Sequence, residues 1–111
     1  MKTELTIDEV SQIYYRLNQL VSMVNSFPDT YASIATLLRR ECRGVLLDTS
    51  LWLSITDIDD QEQIINRISS QLSSMLQVVD NSIKQYNLTP RGKEMLLKLR
   101  ELLLNLMVIY K

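Results

Sequence analysis

The chain of 111 residues contains no histidine and a single cysteine, Cys42. Without histidine it lacks the commonest general base and the commonest metal ligand of proteins, which excludes serine–histidine–aspartate triads, cysteine–histidine pairs and zinc sites of the cysteine–histidine type. One cysteine forms no internal disulfide, which favours a reducing, cytoplasmic setting. We therefore predict no catalytic residues, no cofactor and no metal site, with Cys42 as a small buried apolar side chain.

Glycine and proline are also scarce, with two of each: Gly44, Gly92, Pro28 and Pro90. A glycine-rich phosphate-binding loop is excluded by this count. Leucine, isoleucine, valine, serine and glutamine abound instead, and this balance favours long helices over turn-rich β architectures. The length fits one domain that spans residues 1–111.

Neither charge nor hydropathy points to a polyanion or to the interior of a membrane. There are 12 basic and 13 acidic residues, for a net charge of −1, so no overall field draws the chain to nucleic acid or to anionic lipid. No run of about 18 apolar residues is present, and residues 1–9 lack the charged-then-apolar order of a signal peptide. We expect contact with a membrane to be peripheral at most.

Apolar residues spaced three and four apart predict two helices in the first half of the chain. The first runs from Ile7 to Asn25, and Thr6 with Glu9 has the pattern of a reciprocal capping box. Pro28 breaks it. The second helix is predicted from residue 29 or 30 to about residue 47.

Residues 48–58 read DTSLWLSITDI, in which apolar and polar positions alternate as in a short strand. No partner strand is apparent, so we predict an apolar loop or a single helical turn in which Trp52 packs against the bundle. An acidic cluster follows, consisting of Asp57, Asp59, Asp60 and Glu62. An EF-hand calcium loop would need glycine in place of Glu62 and a carboxylate in place of Ile68, so helix capping explains the cluster better.

The second half of the chain predicts two more helices. The third runs from the acidic cluster to about Tyr86, and Asn87 ends it in left-handed geometry. Thr89 caps the fourth helix and Pro90 is its first residue. Short loops then predict an all-α, antiparallel up-and-down bundle of four helices, or of three if the first two form one broken helix.

The fourth helix is more apolar than one bundle seam requires, because 12 of the 16 residues from Met95 to Tyr110 are apolar. Either the other three helices enclose it, or part of its surface meets a second copy, a protein partner or a lipid interface. The second alternative predicts a non-enzymatic interaction module, adaptor-, chaperone- or immunity-like. Its contact residues would be Leu102, Leu104, Met107, Val108 and Ile109, with Trp52 either buried or an exposed anchor.

Two basic patches predict an alternative function, a nucleic-acid-binding oligomer. They are Arg39, Arg40 and Arg43 on the second helix, and Arg91, Lys93, Lys98 and Arg100 on the fourth. Clustered cations can contact phosphate. A neutral chain without a helix-turn-helix signature, however, favours solvated faces of amphipathic helices over nucleic-acid contacts.

From Ile64 onward the chain resembles the immunity proteins that protect lactic-acid bacteria from pediocin-like bacteriocins. The run Ile64-Ile65-Asn66-Arg67, the link Asn87-Leu88-Thr89 and an apolar last helix carry the resemblance. It implies an antiparallel four-helix bundle in the cytosol that recognises a membrane receptor occupied by bacteriocin, with specificity in the C-terminal half. The segment Leu88-Thr89-Pro90-Arg91 is similar to the end of some phage terminase small subunits, which implies a helical oligomer that binds DNA.

Overall fold

The computed structural model describes residues 6–28, 31–85 and 88–110, and four α-helices make up most of them. They are α1 (Ile7–Asn25), α2 (Ala32–Ser54), α3 (Ile58–Gln85) and α4 (Pro90–Ile109). Successive helices pack on each other and α4 packs back on α1, so α1 lies diagonal to α3 and α2 lies diagonal to α4. This is the predicted all-α, antiparallel up-and-down bundle, with four helices rather than three and principal extents of 46 × 24 × 19 Å.

The start of α1 confirms the predicted capping box. The backbone N–H of Glu9 donates to Thr6 Oγ1 at 3.1 Å, and the N–H of Thr6 donates to Glu9 Oε1 at 3.3 Å. The two bonds satisfy amides that the first turn of a helix leaves without backbone partners. Both predicted ends of α1, Ile7 and Asn25, are also confirmed.

The predicted end of α2 near residue 47 is wrong, and residues 48–54 are helix rather than a loop. The buried stripe of α2 continues without a break, since Val45, Thr49 and Trp52 follow at spacings of four and three and are all enclosed. The connection to α3 is only residues 55–57. The predicted start of α2 at residue 29 or 30 lies outside the described residues.

Local signals determine where α3 and α4 begin. Asp57 Oδ1 accepts a hydrogen bond from the N–H of Asp60 at 3.1 Å, which confirms helix capping by the acidic cluster. Thr89 Oγ1 accepts from the N–H of Gly92 at 3.1 Å, and Pro90 is the first residue of α4, as predicted. The predicted roles of Tyr86 and Asn87 fall outside the described residues.

One continuous core runs along the axis of the bundle. All four helices contribute to its largest fully enclosed side chains, which are Leu17, Leu20, Leu38, Trp52, Ile68, Leu72, Met75, Leu96, Leu99, Leu103, Leu106 and Tyr110. Close packing of such side chains is the main favourable term in folding. The core therefore holds the four helices in fixed positions relative to one another.

Both glycines lie inside helices at points of close approach. A Cβ atom on Gly92 would overlap the hydroxyl of Tyr31 and would lie 2.9 Å from ring carbon Cζ. A Cβ atom on Gly44 would lie 2.6 Å from Nε2 of Gln71, at the end of a flexible side chain. The aromatic ring at Gly92 has less freedom to move than the amide at Gly44.

We predict different outcomes for alanine at these two positions. Gly92→Ala should lower the free energy of unfolding by about 1 to 2 kcal/mol, because overpacking outweighs the gain in helix propensity. Gly44→Ala should change it by less than about 1 kcal/mol, because the gain in helix propensity offsets the weakening of the hydrogen bond from Gln71 Nε2 to Asp48 Oδ2 when the amide shifts. Urea denaturation followed by circular dichroism measures both, and equal effects at the two sites would contradict this packing.

Candidate interaction surface

The six predicted contact residues divide into a buried, an exposed and a partly buried pair. Trp52 and Leu102 are core side chains, 2% and 7% exposed. Trp52 is therefore not an exposed anchor, and neither residue presents a surface to a partner. Leu104 and Val108 are 39% and 66% exposed. Met107 and Ile109 are partly buried against the core.

The exposed leucine and valine residues of α4 form a line along the helix. Leu97, which lies outside the predicted set, is 47% exposed and precedes Leu104 by seven residues, and Val108 follows four residues later. At 3.6 residues per turn these three positions lie within about 40° of one another around the helix axis. We call Leu97, Leu104 and Val108 the α4 outer stripe. The stripe faces away from the core stripe of the same helix.

Two of the four predicted basic residues on α4 are paired with carboxylates. Arg100 Nε donates to Asp80 Oδ1 on α3 at 2.8 Å. Lys98 Nζ lies 3.1 Å from Glu94 Oε1, one turn earlier on the same exposed face. Such pairs at the surface contribute about 0 to 1 kcal/mol each, so their main effect here is to neutralise charge beside the stripe.

The predicted arginines on α2 share one shallow depression. Arg39, Arg40 and Arg43 line it together with Thr36, and its volume is about 320 Å³. Arg39 Nε donates to Asn25 Oδ1 at 3.3 Å, and in the described part of the chain no carboxylate pairs with any of the three guanidinium groups. Because α2 and α4 are diagonal, the structure does not bring the two predicted basic patches together.

Tyr110 secures the end of α4 inside the bundle. Its ring meets that of Trp52 edge to face, with centroids 5.4 Å apart and an interplanar angle of 62°. Its hydroxyl shares a hydrogen bond with the hydroxyl of Thr49 across 2.6 Å in the core. The sequence analysis did not detect this pair, because the two residues are 61 positions apart and no local pattern links them.

Burial in the core raises the pKa of two side chains, Tyr110 and Cys42. Desolvation raises the pKa of Tyr110 to about 12. It also raises the pKa of Cys42 above its usual range. Since thiolates rather than thiols are nucleophiles, the buried Cys42 behaves as the small apolar side chain that was predicted.

Groups of metal ligands and membrane-spanning helices are both absent from the described residues. Across residues 6–28, 31–85 and 88–110, no three carboxylate or thiol side chains are grouped so that they could hold a metal ion. None of the helices in those ranges is both long and apolar enough to cross a membrane.

Comparison with protein-family models, curated proteins and solved structures finds no match for the chain. The resemblances to immunity proteins and to terminase subunits therefore stay predictions.

We expect the Thr49–Tyr110 pair to act as a unit. Tyr110→Phe or Thr49→Val alone should destabilise the fold by about 1 to 3 kcal/mol, because each leaves one buried hydroxyl without its partner. The double variant should lose less stability than the sum of the two single losses, since neither buried hydroxyl is then present without a partner. A double-mutant cycle by urea denaturation measures the coupling. Strictly additive losses would show that the hydrogen bond contributes nothing.

The raised pKa of Tyr110 predicts a stability loss at high pH. The folded chain keeps the phenol proton up to about pH 12, whereas the unfolded chain releases it near the ordinary pKa of 10.0. Stabilisation by the protonated phenol is thus complete below about pH 10 and falls by about 2 to 3 kcal/mol as the pH rises to about 12. The free energy of unfolding of the wild type should fall by this amount relative to that of Tyr110→Phe over that range. A constant difference would contradict the assignment.

Proposed function

We propose that the chain is a non-enzymatic protein-interaction module that binds a partner protein through the α4 outer stripe. Single exposed apolar residues are ordinary on protein surfaces, but three in one line on the same helix are less so. Burial of this line against a partner would release about 25 cal/mol for each Å² of apolar surface removed from water. The alignment of Leu97, Leu104 and Val108 is the observation that supports the proposal.

The surroundings of the stripe suit a protein contact. Glu94, Lys98 and Glu101 are exposed beside it, which supplies a polar rim around an apolar centre. Apolar positions separated by seven and four residues are those by which a helix lies in a groove or along a second helix. The partner we infer therefore presents an apolar groove or an amphipathic helix.

The cellular setting in this proposal is the cytoplasm, supported by the unpaired, buried Cys42. The resemblance to bacteriocin immunity proteins suggests one kind of partner, a membrane receptor occupied by a bacteriocin. The stripe lies in the C-terminal half, where that resemblance places specificity. An adaptor or chaperone role with another helical partner would use the same surface.

A second candidate function is phosphate or nucleic-acid binding by Arg39, Arg40 and Arg43, favoured by their shared depression and the lack of carboxylate partners among the described residues. The separation of the α4 cations limits it to this one helix. Retention of duplex DNA that falls steeply with salt, and that Arg40→Gln with Arg43→Gln abolishes, would support it. No retention at low salt would exclude it.

The α4 outer stripe is tested by a charge placed in its centre. Leu104→Glu with Val108→Glu should abolish partner binding, with a loss of at least about 30-fold in affinity if the stripe is a hot spot. A photo-crosslinking residue at position 104 should capture one discrete protein or a second copy in the host cell, and Val108→Glu in the same chain should remove the product. Light scattering reports whether that product is a dimer.

Two controls accompany this test. Asn105→Glu adds one negative charge, as Val108→Glu alone does, at an exposed position of α4 off the stripe, and should leave binding intact. A crosslinker at Gln77, on the polar outer face of α3, should capture nothing specific. If position 104 yields no product, or if Asn105→Glu is as damaging as the stripe variant, the stripe is not the binding surface. Val108→Glu alone, at the more exposed position, covers the case in which the double variant unfolds.

A further inference from the structure

The solvent side of α2 carries two arginines followed by two leucines. Arg40, Arg43, Leu47 and Leu51 succeed one another at spacings of three and four, and all four are exposed. At 3.6 residues per turn they lie within about 80° of one another, opposite the buried stripe of the same helix. We call these four residues the α2 outer face. Its first half is basic and its second half is apolar.

Two shallow depressions adjoin the basic half of this face. One, of about 320 Å³, opens on the solvent side of α2, and the other, of about 220 Å³, lies at the seam with α1 beside Val21 and Asn25. Arg39 and Arg43 line both of them. The arrangement leaves room for two anionic side chains, one on each side of this pair of arginines.

The positive charge of the face is not balanced within the described part of the chain. Arg67, Lys98 and Arg100 each have a carboxylate partner at 2.8 to 3.1 Å, whereas no described carboxylate pairs with Arg40 or Arg43. Like charges three or four residues apart weaken a helix slightly. Carboxylates of a bound partner would offset this repulsion.

The leucines indicate which kind of anion the face suits. Leu47 is 73% exposed and Leu51 is 42% exposed. A nucleic acid contacts proteins mainly through its phosphates and sugars, which do not cover exposed leucines. Beyond Leu51, the acidic cluster at the start of α3 would repel a polyanion that continued along the helix. A peptide segment that is acidic in one half and apolar in the other matches both halves.

We propose that the α2 outer face binds an acidic amphipathic helix of a second protein. Carboxylates of that helix pair with Arg40 and Arg43, and its apolar side chains cover Leu47 and Leu51. Because α2 and α4 are diagonal, this face and the α4 outer stripe lie on opposite sides of the bundle. With the α4 partner in place, which rests on the proposed function, the chain holds two proteins at once.

A designed peptide serves as the probe for this face. It is an alanine-rich helix of about 20 residues, labelled with fluorescein, with three glutamates in one half and two leucines on the same side of the other. Both orders of the halves are made, because a partner helix can run parallel or antiparallel to α2. We expect saturable fluorescence anisotropy with one order, and at least about fivefold weaker binding when glutamine replaces glutamate or alanine replaces leucine. If neither order binds, or if the glutamine and alanine peptides bind equally well, the proposal is wrong.

Matched variants of the protein test the basic half. Arg40→Gln with Arg43→Gln should weaken peptide binding at least about fivefold, because two charge pairs are lost. Arg91→Gln with Lys93→Gln removes the same charge from exposed positions at the start of α4 and should leave peptide binding unchanged. Equal losses in the two double variants would show a general charge effect and no site on α2.

Leu47→Ser tests the apolar half, and Ile58→Ser is its control. The two residues are 73% and 62% exposed, so neither substitution empties the core. Ile58 lies about 180° around α3 from Arg67, which bonds to Asp48 of α2, so Ile58 faces away from α2. Leu47→Ser should weaken peptide binding at least about threefold, because apolar contact is lost, and Ile58→Ser should not.

Duplex DNA is the competing occupant of the arginines. DNA that displaces the peptide, together with peptide binding unaffected by Leu47→Ser, would overturn the proposal and assign the arginines to phosphate. The peptide assay reports on α2 alone, so its result is separate from that of the α4 outer stripe test.

Discussion

The contact between Trp52 near the end of α2 and Tyr110 at the end of α4 joins two diagonal helices across the core. Neighbouring helices in a ring are held by their apolar stripes, but diagonal helices meet only through side chains long enough to cross the centre. The edge-to-face rings do this, and the buried bond between Thr49 and Tyr110 adds a directional constraint. The position of the last turn of α4 depends on these contacts, and so does the direction in which Val108 of the α4 outer stripe faces.

Local signals in the sequence predicted the helix starts well. The Thr6–Glu9 box, Asp57 before α3 and the Thr89–Pro90 pair all act within three residues, so a reader of the sequence sees both partners at once. The end of α2 has no such local signal. Its last turns are stabilised by Trp52 and Thr49 in the core, and the partner that makes a buried threonine acceptable lies far away in the chain.

The α4 surface shows a different reason for incomplete prediction. Leu102 and Leu104 have the same chemistry, yet the first is 7% exposed and the second 39%. In a helix that is apolar almost all round, composition does not reveal which direction is inward. The positions of Leu99, Leu103 and Leu106 against the other helices decide it. Of the six predicted contact residues, only Leu104 and Val108 are therefore exposed.

Topology also explains how acidic side chains of the described residues gather at one end of a chain with a net charge of −1. Carboxylates are favoured in the first turn of a helix, and an up-and-down bundle places the starts of α1 and α3 at the same end. Asp8 and Glu9 therefore share that end with the acidic cluster at the start of α3, while Arg91 and Lys93 begin α4 at the other. Net charge describes the chain, but helix direction decides the local field that a ligand meets.

The α4 outer stripe is linked to the core by the geometry of one helical turn. Consecutive residues point about 100° apart around α4, so Val108 is exposed on the stripe while Ile109 packs partly against the core. Tyr110 follows directly and is held by Thr49 and Trp52. Any rotation of the last turn would move Val108 and Ile109 together. The core contacts of the Tyr110 ring oppose such a rotation, so they fix the direction in which Val108 faces.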